Sequence, residues 1–307
     1  MVEFKNLSEL SEFFPTKQSC IDYFEKLRWN GNPVSPYDPT SKVYELARKN
    51  QYRCKNTGKD FNVMTGTIFE NSKIPIRKWF NVTGILVSHL NGVSSYELTR
   101  DFGITHKSTW FMLHRLRHAC DLPIFKTMME GTVELDETYI GGKNKNRHKN
   151  KKIPYSQGRS QKDKVPVFGM LERSSGRVIM KVVSDAKMKT LVPIIRKHVK
   201  EGSNLNTDEW YRKSKQLDRL FNHQLVNHGD KEYVKENVSV NAIENRWSRL
   251  KSMIGLTYRR VSKKHFQNYL NEFAIRNNAS KISFQEKFDL VLLSTVGKRL
   301  TYQQLIS

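Results

Sequence analysis

The order of apolar runs between Gly131 and about Asn278 constrains this chain more than any other feature. Strand-like runs occupy 133–135, 165–171 and 178–183, and the last two are separated by Ser174-Ser175-Gly176, a hairpin turn signal. A helix follows with Met188, Leu191, Ile194, Ile195 and Val199 on one face, then a short strand ending at Asp208 and another at 224–226. From Asn241 a helical pattern sets Ile243, Trp247, Leu250 and Ile254 at the 3/4 spacing of one apolar face. Strands first, then alternating helices and strands, is the order of an α/β domain of the RNase H-like kind, a mixed sheet flanked by helices.

Three acidic residues fall at notable places in that order. Asp136 follows the strand-like run Thr132, Val133, Glu134, Leu135; Asp208 follows Leu205, Asn206, Thr207; Glu244 lies in the first turn of the last helical pattern. Carboxylates crowded together repel one another unless a cation sits between them, so such a cluster suits a hard, oxygen-loving divalent ion. Two Mg2+ (or Mn2+) ions held there would clamp the attacking and leaving oxygens of an in-line phosphoryl displacement. Spacing alone decides little in a chain of 307 residues with 30 Asp+Glu, so the context matters.

That context is strongly basic. Lys+Arg 53 against Asp+Glu 30 gives a net charge of +23, which calls for a polyanionic partner, with double-stranded DNA the leading candidate. No long apolar run and no separate basic amphipathic stretch points to a membrane. The first residues lack the basic-then-apolar order of a signal peptide, and Cys20, Cys54 and Cys120 offer no disulfide framework. A reducing, cytoplasmic location is expected, on the nucleoid when DNA is bound.

Upstream, 73–125 reads as a helix-turn-helix module. Ile76, Trp79, Phe80, Thr83, Leu86, Val87 and Leu90 mark one helix; 94–102 forms a short second one; Gly103 supplies the turn; Thr105 caps a third helix to about His118. Thr109, Leu113 and Leu116 would face inward, leaving His106, Lys107 and Arg115 to meet DNA, the alternative being a helical hairpin with no DNA contact. Residues 143–164 hold nine Lys/Arg (Lys143, Lys145, Arg147, Lys149, Lys151, Lys152, Arg159, Lys162, Lys164) against Asp163. Such a stretch cannot bury a core, and we expect a loop between the first two strands that contacts phosphates.

Four segments carry a family resemblance: Val133 to Gly142 (VELDETYIGG), Asn206 to Arg212 (NTDEWYR), Asn241 to Lys251 (NAIENRWSRLK) and Tyr269 to Asn278 (YLNEFAIRNN). In this order they resemble the bacterial insertion-sequence transposases of the DDE class, the ISXO-type group related to the eukaryotic Merlin elements. The resemblance implies that Asp136, Asp208 and Glu244 hold the metal ions and that Lys251, two helical turns after Glu244, touches DNA near the scissile phosphate. It implies that Asn241 assists or replaces the glutamate, and it matches His228 to a family position. It also implies binding to terminal inverted repeats, cleavage at the element ends, joining of 3′-OH ends to target DNA, and a homo-oligomer in the synaptic complex. Two alternatives remain: a catalytically inactive or domesticated DNA-binding regulator, and an RNase H-like nuclease without strand transfer.

Cys54 to Phe69 (CKNTGKDFNVMTGTIF) resembles the second half of the zinc ribbon that precedes the helix-turn-helix in that family. Ser35, Asp38 and Thr57 stand at three of the four aligned ligand positions, with only Cys54 retained, so a ribbon-shaped module without structural zinc is expected. Tyr44, Tyr52 and Phe61 would stabilise it by packing. The expected organisation is 1–72 with the degenerate ribbon, 73–125 the DNA-binding helices, 126–279 the catalytic domain, and 280–307 a helical tail that packs on the catalytic domain or binds a second subunit.

Overall fold

The computed structural model describes residues 3–141, 148–154, 164–213, 215–226 and 239–307. The chain divides into two compact units, one of Met1–Asp121 with Lys281–Ser307 and one of Leu122–Ser280.

The first unit opens with helices α1 (Leu7–Phe13) and α2 (Lys17–Trp29). A three-stranded antiparallel sheet follows, β1 (Val43–Glu45), β2 (Tyr52–Cys54) and β3 (Asp60–Phe61). Tyr52 and Phe61 are buried and pack 5.7 Å apart, but the third ring of this cluster is Trp29, 5.2 Å from Tyr52, and not Tyr44, whose ring lies in solvent under Lys42. Alternation along β1 explains the difference, because a three-residue strand can aim only one face at the core. Burial pushes the Cys54 thiol up, but the hydroxyls of Ser35, Ser41 and Thr57 hydrogen-bond to it and outweigh that effect, holding it at about 6. Two of the aligned zinc-ligand positions thus meet around the cysteine as hydroxyls, a donor set unlike the thiolates and imidazoles of a structural zinc site.

Helices α3 (Ile76–Ser88), α4 (Ser95–Phe102) and α5 (His106–Ala119) form where the apolar spacing puts them. The Ser94/Glu97 capping box starts α4, and Gly103 ends it at φ +59, a left-handed conformation that favours glycine. Thr105 then caps α5 by accepting from the Ser108 amide. The C-terminal helices, α10 (Phe284–Ser294) and α11 (Tyr302–Ile306), belong to this same unit. The apolar face of the tail is filled within this unit: Phe288, Val291 and Leu292 are fully buried, and the Phe288 ring meets Phe4 and Phe80, each at 5.4 Å.

The second unit is a five-stranded mixed sheet between helices. Its strands are β4 (Thr132–Gly141), β5 (Lys164–Glu172), β6 (Val178–Val182), β7 (Asn204–Asp208) and β8 (Asn222–Val226), in the order β6-β5-β4-β7-β8. The first three pair antiparallel, and β4, β7 and β8 run parallel. One face carries Val133, Leu135, Phe168 and Ile179 against α6 (Met188–His198) and α7 (Lys215–Leu220). The other carries Ile140, Val167 and Met180 against α8 (Asn241–Ser252) and α9 (Phe266–Asn278). A central sheet covered on both sides explains why β5 reads as a nearly continuous apolar run. The architecture is consistent with the RNase H-like fold expected from the element order. Among the described residues no helix is long and apolar enough to cross a membrane.

Candidate active site

The parallel pairing of β4 with β7 sets Glu134 opposite Asn206, so Asp136 and Asp208, each two residues further on, sit at neighbouring positions towards the C-terminal end of β7. Glu134 and Asp136 point to the α8 side of β4, and Glu137 to the α6 side, because successive strand side chains alternate. Burial above all, then the charge of Glu137 and, beyond the opposing Trp247 hydrogen bond, the charge of Asp208 push the Asp136 carboxyl up to about 7. Asp208 Oδ1 accepts from the Trp210 amide at 3.0 Å, which fixes the carboxylate at the end of its strand. On the opposite face the Tyr211 hydroxyl donates to Glu137 Oε2 at 3.0 Å, and burial together with the nearby carboxylates drives that phenol well above its ordinary value.

Helix α8 is pinned to this strand pair by groups that sequence reasoning missed. Glu134, completely buried, accepts from Arg173 Nε at 2.6 Å and from the backbone amide of Ile243 at 2.8 Å. Ile243 is in the first turn of α8, where amides lack helical partners, so the carboxylate caps the helix from outside and favours its positive end. Arg173 also donates to Ser239, through both its hydroxyl and its carbonyl, the latter at 3.0 Å, and Asn206 Nδ2 donates to the same carbonyl at 3.2 Å. One turn along, Trp247 Nε1 donates to Asp136 Oδ2 at 2.8 Å. The indole lies against Gly169, the residue paired with Asp136 on β5; a Cβ there would stand 2.5 Å from the ring. A signal was present in the sequence: Val133 to Glu137 sets three acids among five consecutive residues of one strand, and a central strand can bury acids only if each finds a partner.

Asp136 and Asp208 are brought together. Glu244 lies in the first turn of α8, exposed beside the buried Ile243, with Asn241 exposed one turn before it and Lys251 exposed two turns after it. Among the described residues no three His, Cys, Asp or Glu side chains lie close enough to share one ion.

In the first unit, Lys107 is exposed, its ammonium 4.6 Å from the centre of the Tyr302 ring, whereas His106 stacks on Tyr96 with ring centres 4.0 Å apart. Arg115 corrects the expectation of a DNA-facing side chain: it is buried, with Nη1 on the Ile68 carbonyl at 2.7 Å and Nε on the Leu300 carbonyl at 3.0 Å. Lys149 and Lys152 are exposed, and the backbone of Lys151 is in a short 3-10 turn with Lys149. Lys143, Lys145, Arg147 and His228 lie outside the described residues.

Residues 128–278 match the model of the ISXO2-like transposase domain. An uncharacterized protein in transposable element ISH50 of Halobacterium salinarum is 27% identical over 296 residues, 91% of this chain and 97% of that protein. An uncharacterized transposase-like protein of Haemophilus influenzae is 34% identical over 110 residues, 36% of this chain and 87% of that one. A chain of the solved simian T-cell lymphotropic virus intasome, in complex with PP2A regulatory subunit B56 gamma, aligns over 61% of this chain and 66% of its own at 13% identity and a TM-score of 0.28. On these matches the chain belongs to the ISXO2-like family of insertion-sequence transposases.

Proposed function

We propose that the chain binds the terminal inverted repeats of its element, cleaves at the ends and joins the freed 3′-hydroxyls to target DNA. The observation that carries this reading is the pair Asp136 and Asp208 on adjacent parallel strands, beneath helix α8, which carries Glu244 in its first turn and is bolted to β4 through Glu134 and Trp247. The donors are all carboxylate oxygens, and burial, with the added repulsion of Glu137 and Asp208, raises Asp136, a cost that a divalent cation relieves, so the residues fit Mg2+ or Mn2+. Asp136, Asp208 and Glu244 would hold the ions, with Asn241 beside the last of them, and bound metal supplies charge stabilisation at the reacting phosphate. The protein's own part is orientation: the Trp247 indole fixes one oxygen of Asp136, the Trp210 amide fixes one of Asp208, and the buried cap fixes the start of α8. Lys107 and His106, at the start of α5, and Lys251, on α8, would contact DNA, in an assembly of several copies of the chain.

The test is cleavage and strand transfer on terminal-repeat DNA with Mg2+. Asp136→Asn, Asp208→Asn and Glu244→Gln should each abolish both steps and leave repeat binding nearly unchanged, with Asn241→Ala milder than Glu244→Gln. Wild-type-like joining by any carboxylate variant removes that residue from the site. Cleavage without joining by the native chain would make it a nuclease, and binding with neither step a regulator.

A further inference from the structure

We infer that the segment after α8, centred on Arg259, Arg260, Lys263 and Lys264, is a second DNA-contact surface, which grips the phosphate backbone of a duplex already held at the carboxylates. The inference rests on the proposed action on DNA and extends it to residues outside the expected binding set.

Charge is the first observation. From Asn245 to Asn271 the chain has seven Lys/Arg and no Asp or Glu, so the segment contains no carboxylate of its own to offset them. Arg259, Arg260, Lys263 and Lys264 are all exposed. Backbone geometry is the second. Helix α8 runs on into a π-helical turn, Met253–Tyr258, which ends at Arg259 with φ +58 and ψ −53, and the Arg260 amide bonds back to the Tyr258 carbonyl at 2.5 Å. This is a three-residue γ-turn of the positive-φ kind, strained by about 1–3 kcal/mol for a residue with a side chain. Glycine would adopt it without that strain. The chain instead spends the position on an arginine and follows it with another.

Anchoring is the third observation. The Tyr258 hydroxyl donates to Glu272 Oε1 at 2.7 Å, its ring packs on Tyr269 at 4.8 Å, and Glu272 is itself fully buried against Arg276. The turn is thereby clamped to α9 while its arginines project. The two cation pairs are four residues apart in a segment with no helix between them, a reach of at most about 14 Å. Such spacing lets each pair meet a different phosphate of one strand. A lipid surface would call for an amphipathic helix with an apolar face, and this segment has neither helix nor apolar face between Arg259 and Ser262. With α8 and the π turn rising roughly 1.5 Å per residue, the ridge lies roughly 20–27 Å from Glu244, or about six to eight base pairs along a duplex. Contact there would be with phosphates and indifferent to sequence.

The experiment uses the full-length chain and a fluorescent terminal-repeat duplex, with binding measured by anisotropy from 50 to 200 mM salt. In the Arg259→Gly/Arg260→Gln double variant, the slope of log K against log salt should fall by about 1–2, the loss of two phosphate contacts. Affinity at 50 mM salt should fall about tenfold or more, and thermal stability should hold or rise because the strained residue is now glycine. Arg259→Lys/Arg260→Lys should restore most of the slope. An unchanged slope in the double variant, with native binding intact, overturns the ridge and leaves the DNA reading standing. Failure of the native chain to bind duplex at all overturns both. Vesicles containing anionic lipid serve as the other probe: loss of vesicle binding with DNA binding unaltered would assign the ridge to a membrane and overturn the inference.

Discussion

Asp136 depends on a residue that has no side chain. The Trp247 ring reaches its carboxylate only by lying against Gly169 of the adjacent strand. Gly169→Ala would put a methyl 2.5 Å from the indole and 3.0 Å from Ile243, and the bulky ring cannot yield without pushing α8 off the sheet. We expect a loss of about 1–3 kcal/mol in urea denaturation, a changed Trp247 fluorescence, and cleavage reduced more than DNA binding. Native cleavage with an unperturbed emission spectrum would show the indole contact to be dispensable. A second residue-scale expectation concerns pH. Asp289 on α10 accepts from the Tyr23 hydroxyl at 2.6 Å, and burial pushes its carboxyl up to about 6 from 3.8. The folded state therefore binds this proton more tightly than the unfolded one. Its stabilising effect is complete below pH about 4 and is lost as pH rises through about 6. Asp289→Asn keeps an acceptor for Tyr23 and removes the penalty, so the variant should be more stable than the native chain at pH 8, by about 1–2 kcal/mol after discounting for partial exposure, and nearly equal at pH 4. Equal differences at both pH values would exclude this origin.

At the scale of the element, α8 is held less by its own sequence than by what meets its first turn. Val240 provides no side-chain cap, and the buried Glu134 carboxylate does that work on the Ile243 amide. Arg173→Met should strand this carboxylate without its counter-charge and lower stability by about 3–5 kcal/mol, whereas Glu134→Gln/Arg173→Met should recover much of the loss. A double variant no better than the single one would mean that packing, and not charge, holds the helix. The strands and helices themselves were legible. Apolar runs at 165–171 and 178–183, and the Ile243, Trp247, Leu250 spacing, report local periodicity, which one sequence displays directly. The neighbouring positions of Asp136 and Asp208 come from the parallel pairing of β4 with β7, and β4 runs on past Asp136, which sits in mid-strand and not at the strand end that the run 133–135 suggested. What escaped were contacts between distant segments. Nothing near Arg115 announces that its guanidinium meets carbonyls at Ile68 and Leu300; its helical spacing alone placed it on the open face. The Glu134, Arg173 and Ser239 cluster likewise joins three separate stretches, and only the density of acids in β4 hinted at it.

At the scale of the whole molecule, the chain leaves its first unit after Asp121, builds a complete second unit, and returns to finish the first. Helix α10 is structural there. Phe288, Val291 and Leu292 are completely buried, Phe288 stands among the rings of Phe4, Phe14 and Phe80, and Thr67 bridges to Val296. Lys298 then closes the seam by donating to the carbonyls of Ala119 at 2.8 Å and Asp121 at 2.7 Å. Burying a side chain of this size contributes about 1.5–3 kcal/mol, so three of them amount to about 5–9 kcal/mol, on the order of the entire stability of a domain. A chain ended at residue 280 should therefore lose the cooperative melt of its first unit and expose apolar surface to a hydrophobic dye. A fragment of residues 122–280, whose two core clusters lie wholly within it, should melt cooperatively by itself. Adding residues 281–307 as a separate peptide to residues 1–121 should restore a folded first unit, because the missing helix supplies contacts and no chemistry. Circular dichroism melts of the fragments decide the matter. A fragment of residues 1–121 that folds unaided as stably as the parent would make the returning helix an ornament, and would reopen the question of what its buried face is for.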